Sequence, residues 1–538
     1  MPGSRFPTRW VPEPMSTTRS VGTLVAAGAM VMVLGRVAMR SVSVVSTLLL
    51  VRLLQPADFG LVALAAAAFV IADQLTTTNY AVALVRRPEV DRDLYDTAWT
   101  MNVIRCLILG GLVAATADLQ AGMLGDSRLA PVLMVVALTV SLDGLVSIGM
   151  VRLQREFQFG KVFRYQIAGK ILSFLLTIAL AFIMQSYWCL VLGNLGAKLL
   201  LIPYSYFLAP HRPRFSLAHW RELLHFSKWM MALNLCLAAD GQGPNLVLGR
   251  LIGVEAVGRY NISYQIAATP VTELAAPIRA PIYSGYARVL HDLQALRRQF
   301  LEGFALICTL TVPLSVGIAL TAPEVQHLAL GPRWTGTETL IVLCALYALV
   351  DSLSHFTFNI FSVLDRQRRF AGIYALLVLV RLPCIILAAL WAGAEGVLAG
   401  MLATGLINGL VWHWQAGLLL GHGLADVGRR VWRAFVAAGA MAAMVLLARD
   451  LLPAPTADTL QAGLRLVALA MLGAGTHVAA QLALWRLSGA PAGAERRILD
   501  LSASGLARLR GAWSRRGVGR KAPTPPGTAQ PGAGVPTI

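Results

Sequence analysis

The sequence predicts an all-α polytopic membrane protein with about fourteen transmembrane helices. Of its 538 residues, 57% are apolar and only 14% are charged, and the mean hydropathy is +0.64. A soluble domain carries about 25% charged residues, so a soluble core of this size is disfavoured. Apolar runs close to the roughly 20 residues of a membrane-spanning helix recur along the chain. Basic residues are concentrated in every second connection between these runs.

The first apolar run follows Arg5, Arg9 and Arg19, and its length and lack of a small-residue cleavage site favour a membrane helix over a signal peptide. The eighth run contains Pro270, Pro277 and Pro281, which predict a kink. In order, the expected spans lie at about 24–50, 59–80, 98–117, 130–151, 167–184, 187–208, 227–250, 257–282, 300–320, 338–361, 370–391, 395–418, 431–448 and 463–486.

The alternation of basic loops predicts that both termini are cytoplasmic, because cytoplasmic loops collect Lys and Arg. It also accounts for the net charge of +19 without nucleic acid as a partner. The basic clusters lie near residues 5–19, 86–92, 152–164, 212–221, 288–298, 366–369 and 429–433, and in the tail from 486.

A short motif occurs twice, as Arg52–Gly60 and Arg250–Gly258, 198 residues apart. In both copies an arginine is followed by leucine, and a glycine closes the motif. The predicted topology places both copies on the outer face. Arg52 and Arg250 are therefore expected to anchor helix ends at that face.

Three stretches carry a resemblance to a known family. The first stretch is LLVRLLQPADFGLVALAAAAFVIADQL with ALVRRPEVDRDLYDTAWTMNVIRCLILG after it. The others are NLVLGRLIGVEAVGRYNISYQIAATPVTELAAPI and LALGPRWTGTETLIVLCALYALVDSL. These stretches resemble the Wzx-type flippases for lipid-linked oligosaccharides, a family of polysaccharide exporters, and within it the colanic acid exporter branch. The resemblance covers about residues 20–420. Asn79 departs from it, since relatives are expected to carry glycine there.

The resemblance implies two six-helix lobes related by a parallel repeat, with a cavity between them. An even number of helices per repeat gives both motif copies the same orientation. The implied divisions are an N-terminal cytoplasmic segment at 1–20, an N-lobe at 21–208, a cytoplasmic linker at 209–226, a C-lobe at 227–420, an extra helix pair at 431–486 and a basic, largely disordered cytoplasmic tail at 487–538.

Enzymatic signatures are missing from the sequence. It contains no G-x-x-x-x-G-K-[ST], H-E-x-x-H or G-x-S-x-G motif. The six cysteines lie in apolar runs and form no C-x-x-C pair. We therefore expect no catalytic residue, no metal site and no cofactor.

Charged residues inside the expected spans are the candidate site, because each costs at least about 2.5–3.5 kcal/mol at a helix centre. Arg36 and Arg40 share one helix face and suit a pyrophosphate-linked headgroup. The alternative is that they pair with Asp73 or Asp143. The candidate substrate-binding set is Arg36, Arg40, Arg105, Lys198, Arg279 and Arg381.

Asp240 and Glu273 are the candidates for ion coupling, with pairing to an arginine as the alternative. His355 and His413 fit hydrogen-bonded packing better than proton relay. The tryptophans at 412, 414 and 432 fit an interfacial belt on the inner face.

The expected function is the flipping of an undecaprenyl-pyrophosphate-linked oligosaccharide across the bacterial inner membrane, for assembly of exopolysaccharide, capsule or O-antigen. Membrane lipid and a polysaccharide polymerase or export complex are the expected further partners. The first alternative is an ion-coupled multidrug exporter, which would prefer an acidic cavity. The second is a membrane polysaccharide polymerase or ligase, which the short outer loops disfavour.

Overall fold

The computed structural model describes residues 21–76, 84, 91–156, 158–221, 228–451, 459–491, 493–497 and 499. Within these ranges the chain forms helices and no strand. The long helices are α1 (Val21–Leu53), α2 (Pro56–Thr76), α3 (Arg92–Ala115), α4 (Leu129–Asp143), α5 (Phe159–Met184), α6 (Trp188–Leu208), α7 (Lys228–Leu251), α8 (Val254–Arg288), α9 (Leu293–Leu320), α10 (Glu338–Val363), α11 (Gln367–Leu420), α12 (Leu424–Leu451) and α13 (Thr459–Leu487).

Helix α11 consists of two arms, 367–391 and 394–420, joined at a break. Ala392 leaves the helical conformation and Gly393 has a φ of 60°, which glycine adopts without strain. With these two arms, each of the fourteen expected spans falls on a helix of the described chain. Nine of the described helices are long and apolar enough to cross a membrane. The number of spans stays a prediction.

One local expectation differs from the structure. The fourth span was expected at 130–151, but α4 ends at Asp143 and a turn leads into the short helix Gly149–Arg155. Helix α8 continues through its three prolines from Val254 to Arg288, and the kink expected there stays a prediction. Proline is tolerated in membrane helices because neighbouring groups can satisfy the freed carbonyl oxygens.

The division into an N-lobe and a C-lobe stays a prediction, and the helices on each side of it pack as follows. In the N-lobe, α1 packs on α5, α5 on α6, α6 on α4 and α4 on α3. In the C-lobe, α7 packs on α11, α11 on α10, and α10 on both α8 and α9. The pair α12 and α13 is attached to the C-lobe through contacts of α12 with α9.

The lobes meet through α2, which packs along both α7 and α8. Leu61 and Leu64 of α2 belong to the same buried cluster as Leu248 of α7 and Val257 of α8. Each of these side chains is fully buried. Between membrane helices such burial stabilises through close van der Waals packing. The apolar core is therefore continuous across the lobe boundary at this level.

The linker between the lobes runs along the start of α3. Asp96, which is buried, accepts a hydrogen bond from the main-chain N–H of Arg214 and lies 2.9 Å from the His211 ring. The main-chain N–H of Ser216 donates to Thr100. These contacts hold the described part of the linker, up to residue 221, against the N-lobe.

Candidate functional site

The two copies of the sequence repeat touch each other where α2 crosses α8. We call this end of the bundle, at which α1 turns into α2 and α7 into α8, the hairpin end. A Cβ atom on Gly60 would lie 1.8 Å from the carbonyl oxygen of Val254. A Cβ atom on Gly258 would lie 1.8 Å from the carbonyl oxygen of Pro56. The crossing is therefore reciprocal, backbone against backbone, and only glycine fits at both positions.

The connection between α9 and α10 covers this crossing from the C-lobe side. Trp334 is fully buried and donates its indole N–H to the carbonyl oxygen of Val51, 3.1 Å away. Arg52 donates to the carbonyl oxygen of Leu328. The first repeat arginine thus holds a helix end at the lobe boundary, which agrees with the anchoring role expected for it.

The second repeat arginine has a related position on the other lobe. Arg250 lies 3.9 Å from where a Cβ atom on Gly125 would be, in the connection between α3 and α4. Beside it, Arg128 donates to Asp126 at 2.7 Å, and this hydrogen bond lowers the pKa of the Asp126 carboxyl. Each lobe thus places a loop next to the repeat arginine of the other.

Deeper in the bundle, Arg40 bridges the two lobes. It lies thirteen residues before the end of α1, about 20 Å from the hairpin end at 1.5 Å per residue. Its guanidinium donates to the Thr269 hydroxyl, and its Nε lies 3.5 Å from a Glu273 carboxylate oxygen. About a third of each charged side chain is accessible, 35% for Arg40 and 37% for Glu273.

A further polar contact joins the same two helices nearer the hairpin end. Gln265 of α8 donates to the Thr47 hydroxyl of α1 at 3.1 Å. Thr47 and Arg40 lie at increasing distance from the hairpin end along α1, and their partners Gln265 and Thr269 do the same along α8. Polar side chains therefore line this part of the boundary, below the apolar crossing.

Two other candidate cations pair within the N-lobe. Arg105 of α3 donates to Asp73 of α2 at 2.6 Å. Lys198 of α6 donates to Asp143 of α4. These are the acids that the sequence offered as alternative partners for Arg36 and Arg40. In the structure they hold other cations, and Arg40 bonds to the opposite lobe.

In the C-lobe, Arg381 and Asp240 form one cluster. Their charged atoms are 2.8 Å apart, and only 4% of the Arg381 side chain is exposed. Arg381 also donates to the Tyr347 hydroxyl at 2.6 Å, and Tyr374 donates to Asp240 at 2.8 Å. Beside this cluster, Asp351 lies 3.4 Å from the His355 ring.

The structure therefore brings together two pairs of the predicted residues, Arg40 with Glu273 and Arg381 with Asp240. Arg105 and Lys198 are placed apart from these pairs in the N-lobe. The side chains of Arg36 and Arg279, and Asn79, lie outside the described part of the structure.

Sequence reasoning missed the polar partners of these charges. Thr269, Tyr347 and Tyr374 are single polar residues inside apolar segments, which carry no signal of their own. One signal was available: Thr269 and Glu273 are four residues apart, so they share a face of α8. Among the described residues, no group of three His, Cys, Asp or Glu side chains is placed to hold a metal ion.

One expectation for the C-terminal region needs correction. Trp412 is not interfacial: it is buried and stacks on Phe370 with a ring separation of 4.4 Å. The largely disordered tail stays a prediction; near its start, Glu495 is buried and accepts a hydrogen bond from Arg433 at 2.7 Å. Gln481 donates to the same carboxylate. An acid desolvated to this degree needs such partners.

Comparison with known proteins places the chain in a family. Residues 49–339, more than half of the sequence, match the family model described as polysaccharide biosynthesis protein. The chain belongs to this family. The resemblance in the sequence motifs is therefore confirmed at the family level.

Two relatives show what kind of proteins this polysaccharide biosynthesis family contains. The lipopolysaccharide biosynthesis protein WzxC of Escherichia coli (strain K12) is 23% identical over 363 residues, which cover 67% of this chain and 74% of that protein. The succinoglycan biosynthesis transport protein ExoT of Rhizobium meliloti (strain 1021) is 21% identical and covers 55% of this chain and 61% of that protein.

Solved structures show the fold. The lipid II flippase MurJ in an inward closed conformation superposes with a TM-score of 0.70, at 11% identity, over 84% of this chain and 98% of that one. A multidrug resistance transporter of the MATE family, in an inward-facing conformation, gives a TM-score of 0.55 at 16% identity over 76% of this chain and 96% of that one. The predicted class of a multi-pass α-helical membrane protein with a transporter fold is confirmed.

Proposed function

We propose that the protein flips an undecaprenyl-pyrophosphate-linked oligosaccharide from the inner to the outer leaflet of the bacterial inner membrane. The observation that carries the proposal is the lobe boundary, which is closed by the glycine crossing at the hairpin end and bridged by the partly exposed Arg40 below it. The product would enter exopolysaccharide, capsule or O-antigen assembly. Membership in the polysaccharide biosynthesis family and the flippase-like fold support this substrate class.

The chemistry required is binding and movement, with no covalent step. A sugar–diphosphate headgroup cannot cross hydrocarbon unaided, because its polar groups would lose their hydrogen bonds with water. Between the lobes, an arginine can bind the diphosphate through two parallel N–H donors. The lipid tail stays in the bilayer while the headgroup moves through the boundary.

The same proposal sets the orientation. In it the hairpin end lies outside and both termini lie in the cytoplasm, which the basic residues on alternate loops support. The crossing of α2 and α8 then closes the outer side, so the headgroup enters from the cytoplasm. Separation of Gly60 from Gly258 would release it outside, towards a polysaccharide polymerase or export complex.

The multidrug exporter is the second candidate, and the fold by itself is compatible with it. Binding a cationic drug needs an acid that is available inside the membrane. In the described structure Asp73, Asp143, Asp240 and Glu273 each face a cation of the protein. This pairing favours an anionic substrate, and Asp240 and Glu273 remain the proposed positions for ion coupling.

Reconstitution tests the proposal. The purified chain in liposomes should move a fluorescent undecaprenyl-pyrophosphate-linked sugar between leaflets with the lipid chemically unchanged. The variant with Arg36 and Arg40 both replaced by Ala should lose this activity, and complementation of a flippase-deficient strain, at a normal membrane level. Unchanged activity in that variant contradicts the proposed binding role, and absence of flipping by the wild-type chain contradicts the function.

A further inference from the structure

The pair formed by Arg40 and Glu273 differs from the other arginine pairs inside the membrane helices. The charged atoms of Arg105 and Asp73 are 2.6 Å apart, those of Arg381 and Asp240 are 2.8 Å apart, and each pair lies within one lobe. Arg40 and Glu273 join different lobes, and their charged atoms are 3.5 Å apart. The contact is therefore looser than the other two pairs, and it crosses the boundary.

Solvent exposure also distinguishes the pair of Arg40 and Glu273 from the others. Only 4% of the Arg381 side chain is accessible, compared with 35% of Arg40 and 37% of Glu273. A molecule that enters between α1 and α8 can therefore reach Arg40. It meets a guanidinium that already faces one carboxylate from the opposite lobe.

A diphosphate and a carboxylate compete unequally for such a guanidinium. A diphosphate offers more acceptor oxygens and more negative charge than a carboxylate. The planar guanidinium of arginine binds it through two parallel N–H donors. A carboxylate that must first be displaced lowers the affinity of every anion for Arg40 by the same factor. At a given concentration, only the anion with the higher intrinsic affinity then occupies the site.

We infer that Glu273 is a built-in competitor that occupies Arg40 until a lipid-linked diphosphate displaces it. The inference rests on the proposed function, because it assigns Arg40 to the headgroup. Displacement also breaks the contact between the lobes and leaves Glu273 without its cation. An unpaired carboxylate in a low-dielectric boundary is costly, so the displaced state favours movement of α8 away from α1. Substrate selection and release of the boundary are then one event.

The test compares binding by the full chain in lipid nanodiscs with three probes: undecaprenyl pyrophosphate, undecaprenyl phosphate and inorganic pyrophosphate. For the wild-type chain, the lipid diphosphate should bind about tenfold more tightly than the lipid monophosphate. Glu273→Gln removes the competitor, so both lipids should bind about three- to tenfold more tightly, with a similar gain for each.

A matched control lies on the same helix. Glu255 pairs with Arg259, four residues along α8, at 2.7 Å, so this pair does not join the lobes. Glu255→Gln makes the same chemical change and should leave both affinities unchanged. Glu273→Asp keeps the carboxylate and should keep the preference for the diphosphate.

The outcomes separate the inference from the function it rests on. If wild-type protein binds the lipid diphosphate and Glu273→Gln changes neither affinity nor preference, the inference is wrong and the proposed function stands. If folded wild-type protein binds neither lipid, both are wrong. If inorganic pyrophosphate shows the same gain in Glu273→Gln, the competition is supported and the free diphosphate suffices as ligand.

A second variant protects the test from a folding defect. Thr269→Val removes the other contact of Arg40 with α8 and changes no charge. Because it also loosens Arg40 from the C-lobe, it should tighten binding of the lipid diphosphate in the same direction as Glu273→Gln. Weaker binding in both variants overturns the inference.

Discussion

Arg381 has only 4% of its side chain exposed, and it lies on a helix that the sequence predicts to span the bilayer. A charge in such a place costs several kcal/mol, and it is retained where an opposite charge and hydrogen bonds compensate for it. Asp240 and Tyr347 supply that compensation. Arg105, Lys198 and Arg465 likewise face acids in the described structure. At the scale of the residue, the membrane imposes pairing, and Arg40 is distinguished by pairing loosely and across the lobes.

Replacing Arg381 with Leu should therefore destabilise the protein rather than simply weaken substrate binding. Asp240 would be left as a buried carboxylate without its cation, at a cost of about 3–5 kcal/mol. Thermal unfolding of the purified protein in detergent should show a clear fall in Tm. The double variant Arg381→Leu with Asp240→Asn removes both charges and should recover most of the loss. A single variant as stable as the wild type contradicts this structural role.

At the scale of the element, the crossing of α2 and α8 depends on two glycines. Their backbones touch so closely that a Cβ atom on either would overlap a carbonyl oxygen of the other helix. The residues around them are apolar and buried, so the crossing excludes water when it is closed. Small residues allow such close approach of membrane helices, and here they permit a tight contact without interlocking side chains.

A leucine at Gly60 should prevent the crossing from closing. Its side chain must push α2 away from α8, which admits water to the lobe boundary. We expect complementation to fall by about tenfold or more, a loss of at least about 1.4 kcal/mol, and faster hydrogen exchange in residues 56–65 and 254–262. Gly111 on α3 is exposed with no other atom within 4 Å of a Cβ atom placed there, so Gly111→Leu is the control. Equal complementation and equal hydrogen exchange in the two variants would contradict closure of the boundary at this crossing.

At the scale of the whole molecule, the two lobes contact each other differently at two depths. Near the hairpin end they share an apolar cluster, the glycine crossing and the hydrogen bond from Trp334 to Val51. Deeper in, polar side chains of α1 and α8 connect them. Transport by alternating access requires the first set of contacts to break and reform in each cycle.

A covalent link across the hairpin end should therefore stop transport. The Arg333 guanidinium lies 3.4 Å from the carbonyl oxygen of Arg52, so these positions face each other from different lobes. The double variant Arg52→Cys with Arg333→Cys, treated from outside with a cleavable bifunctional thiol reagent, should lose flipping in liposomes. Cleavage of the reagent should restore it to the level of the untreated variant. Transport that continues through the intact link contradicts alternating access at this boundary.

The sequence by itself determined the fold class, the positions of the helices, the family and the residues that carry charge inside the membrane. The physical reason is that a helix surrounded by hydrocarbon must be long and apolar. Each span, and each charged residue within it, can therefore be recognised from the neighbouring sequence alone. The break at Gly393 falls between the expected spans 370–391 and 395–418. The early end of α4 and the burial of Trp412 were not visible, because they depend on packing against other helices.

Only the tertiary structure decided which charges meet. Arg40 and Thr269 are 229 residues apart in the chain, and Lys198 and Asp143 are 55 apart. No local pattern could choose between Asp73, Asp143 and Glu273 as the partner of Arg40, because all are single acids in apolar helices. The repeat at Arg52–Gly60 and Arg250–Gly258 was visible in the sequence, but that its two glycines close on each other depends on how α2 and α8 cross in space.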